Sequence, residues 1–240
     1  MIVFLSSSPC IDHPDKPVLN PANRFIHRLQ DALPPDCRTL FIASDPDSPH
    51  LTCRFGMDMG YAFAGAGMPF RSLAILDGAN AEDAPELIHN SDFIILAGGH
   101  VPTQNAFFRQ IRLRELLGEF QGVILGISAG SMNAAELVYA QPELPGESID
   151  PNYRRFLPGL GLTHVSILPH YQKVKDDFID GRRLFEDVTY RDSRNRTFYA
   201  LPDGSYILIE GDDTLLCGRS YRLRNGILEL LSRDGECLRI

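Results

Sequence analysis

Several things this chain lacks narrow its chemistry before any motif is read. It has no surplus of basic charge: 23 Lys and Arg stand against 31 Asp and Glu, a formal net charge of −8. That balance argues against nucleic acid or an anionic membrane as the main partner. Cysteine is sparse, with Cys10, Cys37, Cys53, Cys217 and Cys237 scattered, odd in number and without a C-x-x-C pair. Reduced thiols in a reducing compartment are the expectation. No apolar run approaches membrane-spanning length. The start, MIVFLSSSP, has no basic n-region and too short an apolar run for a signal peptide. There is no H-E-x-x-H or clustered Cys/His, no G-x-G-x-x-G after the first strand and no G-x-x-x-x-G-K-[ST]. The expectation is therefore a cytoplasmic, soluble protein without metal, nucleotide or other cofactor. Its 240 residues suffice for one large α/β domain with a sizeable core.

What is present is dominated by Val123–Asn133, VILGISAGSMN. An apolar run leads into Gly126-Ile127-Ser128-Ala129-Gly130, and small residues follow. This is the G-x-S-x-G of a nucleophile elbow in its strand-then-helix context. A serine on such a turn is held in strained backbone so that its hydroxyl projects beyond the sheet. The flanking glycines let neighbouring backbone pass, and the helix that opens after Ser128 aims N–H groups at a forming oxyanion. A Gly/Ser phosphate-cradling turn would use the same residue types.

Around that stretch strands and helices alternate. Strands are expected at 1–5, 38–43, 72–76, 92–97, 123–125 and 165–168, and helices at 25–33, 52–66, 81–89, 105–120 and 176–188. Near-continuous apolar strands between helices imply a parallel sheet covered on both faces, with ligands at the carboxyl ends of its strands. Those ends carry Ser6–Ser8, Ser44-Asp45, Asp77-Gly78, Gly98–His100 and Ser128. From residue 198 the pattern becomes β-rich, with hairpin turns at Asn225-Gly226 and Asp234-Gly235. It reads as an antiparallel extension on the sheet edge, within a single domain spanning 1–240.

A serine hydroxyl needs a base within hydrogen-bond reach. Of seven histidines, His13, His27, His50 and His89 fall in loops or on polar helix faces, and His164 precedes a strand. His170, ending a strand after Pro169, is the candidate base. The acid that fixes its tautomer is expected to be Asp203 in Leu201-Pro202-Asp203-Gly204, with Glu210, Asp187 and Asp176 as substitutes. Ala129 would supply one oxyanion N–H, and Gly98-Gly99 offers bare backbone for the second.

Taken together, the double glycine after the fourth strand, G-x-S-A-G after the fifth, a strand-terminal Pro-His and a Leu-Pro-acid-Gly-Ser segment resemble the S51 serine peptidases. That family includes dipeptidase E, an aspartyl dipeptidase, and cyanophycinase. The resemblance runs from the first strand to about Cys217. It implies a three-layer α/β/α fold with a mainly parallel central sheet, like the class I glutamine amidotransferase domain and flavodoxin-like in form. It also implies Ser128 as nucleophile, His170 as general base, and Gly99 with Ala129 as oxyanion donors. Asp203 falls where dipeptidase E carries a glutamate, one methylene longer, and His100 stands where the family often has asparagine. Arg182 and Arg183 lie about where dipeptidase E places arginines for an N-terminal aspartyl side chain, and a solvated helix face would explain them equally. The implied activity is hydrolysis of short peptides through an acyl-enzyme, by a monomer or homodimer. An amidotransferase-like domain that binds a ligand without catalysis is the alternative. An α/β-hydrolase esterase fits less well, because there the acid precedes the histidine.

Overall fold

The first strand shows how the layers form. In β1 (Ile2–Ser6), Val3 and Leu5 point into one apolar cluster and Phe4 into another, all of them buried. In β4 (Phe93–Leu96), Ile94 and Leu96 join the first cluster while Phe93 and Ile95 join the second. A strand buried on both faces needs helices on both sides, which is why these segments read as unbroken apolar runs. The structure is a computed structural model that describes residues 1–11 and 17–240, so His13 lies outside the described residues.

With β2 (Arg38–Ile42), β3 (Ser72–Leu76) and β5 (Val123–Ile127), these strands make the five-stranded parallel part of an eight-stranded sheet. The other three strands are antiparallel: β8 (Tyr206–Glu210), β9 (Asp213–Cys217) and β12 (Cys237–Arg239). The full order is β12-β9-β8-β1-β5-β4-β2-β3. Helices α1 (Phe25–Ala32) and α2 (Pro49–Gly65) cover one face, through Phe25, Leu29, Met59 and Phe63. Helices α3 (Ala84–His89), α4 (Val101–Gln110) and α5 (Ala129–Asn133) cover the other, through Ile88, Phe107, Phe108 and Met132. Among the described residues no helix is long and apolar enough to cross a membrane.

The C-terminal region departs from the expected single edge extension. While β8, β9 and β12 extend the main sheet, β6 (Ser166–Leu168), β7 (Thr197–Ala200), β10 (Ser220–Arg224) and β11 (Ile227–Ser232) form a second, four-stranded sheet. It has its own cluster around Tyr139, Phe185 and Phe198. The strand ahead of His170 therefore belongs to this smaller sheet.

Three local expectations are corrected. The helix expected at 176–188 is instead a hairpin, Phe178–Ile179 against Arg182–Arg183, followed by a wide helical turn over Leu184–Thr189. Asp180 and Gly181 adopt φ of 51° and 74°, so the Asp-Gly turn signal outweighs the helical spacing. The helix expected at 105–120 begins at Val101 and breaks at Arg112, φ 54°, before a short turn over Leu113–Leu116. Finally, Cys217 and Cys237 are joined by a disulfide and are not reduced thiols. The antiparallel register of β9 and β12 sets them directly opposite each other. Cys10, Cys37 and Cys53 are free.

Candidate active site

The elbow is built by close packing of backbone. Ser128, between β5 and α5, has φ 49° and ψ −109°, a conformation that L-residues hold only when the surroundings impose it. Its N–H donates to the carbonyls of Ser6 (3.1 Å) and Ser7 (3.2 Å) at the end of β1. A Cβ on Gly126 would come within 2.8 Å of the Ser131 backbone, and one on Gly130 within 2.7 Å of Leu96 Cβ. The two glycines of the motif are thus required by how tightly α5 folds back on β5 and β4.

His170 and Asp203 arrive from the second sheet. β6 and β7 are parallel, with Leu168 opposite Ala200, so the turns after them emerge side by side. His170 is held at φ 55°, and its Nδ1 lies 2.6 Å from Asp203 Oδ1. Burial of the Asp203 carboxyl raises its pKa, but His170, Lys173 and Ser7 outweigh this and hold it far below the usual carboxylate range. An ionised carboxylate only accepts, so Nδ1 carries the proton and Nε2 the lone pair that a base needs. Gln172 Nε2 donates to Asp203 Oδ2 (2.7 Å), and Lys173 Nζ lies 3.0 Å from the same oxygen. Of the substitute acids, Asp187 is paired with Arg183 and Asp176 with Lys175, while Glu210 lies at the far end of β8, opposite Ile2.

The residue that joins the elbow to the histidine and its acid is Ser7, at the carboxyl end of β1. Its carbonyl accepts from Ser128 N–H, its Oγ accepts from His170 N–H (2.7 Å), and its hydroxyl donates to Asp203 Oδ1 (2.8 Å). One serine thus touches nucleophile, base and acid. Its position in Ser6-Ser7-Ser8 after the first strand was the available signal; Gln172 and Lys173 had none beyond nearness to His170. Among the described residues Ser128 Oγ makes no hydrogen bond to His170.

The Gly130 N–H is taken by the Ala97 carbonyl (3.1 Å), so it is not available to an oxyanion. Gly98 runs beside the nucleophile: a Cβ there would lie 3.4 Å from Ser128 Cβ. Gly99 packs on Ser44, where a Cβ would fall 2.6 Å from the Ser44 Cβ. Next to it, His100 uses both ring nitrogens, Nδ1 to Thr103 Oγ1 and Nε2 to Glu147 Oε1, each 2.8 Å. It therefore anchors the 141–152 loop beside the glycine pair. Arg182 and Arg183 are exposed on the hairpin. Arg183 makes a two-pronged pair with Asp187, and Arg182 Nη1 donates to the Ser148 carbonyl (3.1 Å). Among the described residues neither makes a hydrogen bond or ion pair with Ser128, His170 or Asp203. A larger hollow, about 900 Å³, lies at the opposite rim of the sheet near Ile2, Ile88 and Phe120 and holds none of these groups.

A search of curated proteins gives no match. Among solved structures, the chain is similar to a "Putative Peptidase E Protein from Listeria monocytogenes EGD-e". The two share 17% identity at a TM-score of 0.59, over 96% of this chain and 98% of that one, which shows a common fold. An Argonaute protein aligns over 95% of this chain and 50% of its own at a TM-score of only 0.24 and 11% identity, too low for any argument. The model of peptidase family S51 matches residues 51–217, a span that holds the elbow, His170 and Asp203. The chain belongs to peptidase family S51.

Proposed function

We propose that the protein is a serine peptidase acting on short peptides through an acyl-enzyme on Ser128. The observation that carries this is the set of bonds from Ser7 to Ser128, His170 and Asp203. In the reaction, His170 Nε2 takes the Ser128 hydroxyl proton as Oγ attacks the scissile carbonyl. Asp203 stabilises the imidazolium, and the N–H groups of Ala129 and Gly99 receive the oxyanion. His170 then passes the proton to the departing amine, and water releases the acyl group by the same route in reverse.

Cleavage after an N-terminal aspartate would need a cation beside the scissile bond; Arg182 is tied through Ser148 to the 141–152 loop that His100 anchors beside the glycine pair, and Arg183 is paired with Asp187. A second reading, a binding module without catalysis, draws on the missing Ser128–His170 hydrogen bond. Such bonds are often long before substrate arrives, and a lone binding role gives no reason for a half-buried Asp203 held ionised behind His170. The test is labelling with a fluorophosphonate. Ser128 should be modified and Ser128→Ala should not; labelling that survives the substitution contradicts the proposal.

A further inference from the structure

The turn that carries Asp203 is also gripped from outside the site. Asp203 stands between β7 and β8, and the carbonyl of the next residue, Gly204, accepts from Asn23 Nδ2 (2.8 Å). Asn23 is half-buried at φ 56°, and its Oδ1 accepts from the Gly235 N–H (2.8 Å). That second bond decides which way the amide faces: with Oδ1 on Gly235, Nδ2 is left for Gly204. Gly218 closes against the same amide, since a Cβ there would fall 2.8 Å from both Asn23 Cγ and Ser205 Oγ. Its N–H donates to the Glu236 carbonyl (2.8 Å). Gly218 directly follows Cys217, and Gly235 stands two residues before Cys237. The disulfide thus closes the segment that presents both glycines to Asn23.

Among the described residues little else holds that end of the chain. β12 is a three-residue edge strand paired with β9 alone, and all three of its side chains are exposed. A strand so short contributes backbone hydrogen bonds and almost no apolar burial. The ion pairs of Arg239 with Asp213 and of Arg219 with Asp234 are exposed and add little in water. The covalent tether is therefore the strong link, and it is open to attack at one end. Cys217 is fully buried, whereas Cys237 is exposed. Arg28 Nη2 lies 3.2 Å from Cys237 Sγ, where a guanidinium favours a thiolate over a thiol.

We propose that Cys217–Cys237 is a thiol–disulfide exchange site, and that its reduction by a dithiol slackens the Gly235–Asn23–Gly204 relay and with it the seat of Asp203. The inference rests on the serine-peptidase reading and deepens it by naming how that site is regulated. One thiolate of the dithiol bonds to Cys237 Sγ; the S–S bond breaks, and its electron pair leaves on Cys217 Sγ, which takes a proton. The second thiolate attacks this mixed disulfide, closing the oxidised dithiol and releasing Cys237 as a thiolate beside Arg28.

Dithiothreitol, in buffers running from its oxidised to its reduced form, is the probe. Thiols are counted with a maleimide after denaturation, and the rate of fluorophosphonate labelling at Ser128 is read at each ratio. The count should rise from three, those of Cys10, Cys37 and Cys53, to five. Labelling should slow about three- to tenfold with the same midpoint, the worth of one positioning hydrogen bond. Cys237→Ser should label at the slow rate in every buffer. Asn23→Gly, which accepts the positive φ, should also be slow and should not respond to dithiothreitol; urea denaturation confirms that both variants are folded. Ser128-dependent labelling that is equally fast at three thiols and at five would overturn the exchange site's control of Asp203 and leave the peptidase reading intact. A count of five in every buffer, or an Asn23→Gly variant that still responds, would do the same. Labelling that persists in Ser128→Ala would sink the peptidase reading and this inference with it.

Discussion

Ser128 and His170 are brought to one point by different means. The serine sits where β5 turns into α5, and packing of main chain against main chain fixes it: Gly126 against Ser131, Gly130 against Leu96. The histidine and its acid stand on turns from a separate sheet, and side-chain hydrogen bonds hold them, through Ser7, Gln172 and Lys173. A sterically built half tolerates almost no added volume. A polar half tolerates volume and loses its function when one donor or acceptor goes.

That contrast can be broken deliberately. The largest effect is expected on the polar side: Asp203→Asn should lower kcat by about 10⁴-fold by favouring the wrong histidine tautomer, read with a p-nitrophenyl ester. Next comes the steric side. Gly130→Ala places a methyl 2.7 Å from Leu96 Cβ and should cost about 3 kcal/mol in urea denaturation. Ser7→Ala keeps the carbonyl that holds Ser128 but removes the hydroxyl that ties His170 to Asp203. It should lower kcat roughly tenfold, the worth of one charge-assisted hydrogen bond, while fluorophosphonate labelling remains at Ser128. The smallest change is expected at Arg183→Ala, which removes an exposed ion pair with Asp187 and should leave the urea midpoint almost unmoved.

Acid titration separates the halves in another way. The folded pKa of Asp203 is depressed below that of the unfolded chain, so its contribution to stability is present at pH values above the ordinary carboxylate pKa of about 4. It is lost as pH falls toward the folded value. The stability gap between the native protein and Asp203→Asn should therefore be widest near neutrality and shrink below about pH 4. A gap that does not change with pH would mean that Asp203 is not held ionised by its partners.

The same contrast explains what could be read from the sequence. The elbow was legible because its constraint is local: Gly126, Ser128 and Gly130 lie within one turn, and the apolar runs of β1, β4 and β5 announce a sheet buried on both faces. His170 and Asp203 could be named from strand ends because β6 and β7 are parallel neighbours, although the sheet they belong to was not foreseen. Ser7 was hidden because its role depends on contacts 163 and 196 residues away along the chain. Cys217 and Cys237 looked scattered because only the β9–β12 register sets them face to face. The arginine pair falls at helical spacing, but Asp180-Gly181, at φ 51° and 74°, turns the chain into a hairpin ahead of it.

The claim on which the rest depends is that two separately built halves act as one catalytic unit. The most direct measurement is the rate of fluorophosphonate labelling in His170→Ala, with urea denaturation confirming that the variant is folded. Labelling should slow by about 10²-fold or more, the worth of the missing general base; labelling of a folded variant at the unmodified protein's rate would contradict it.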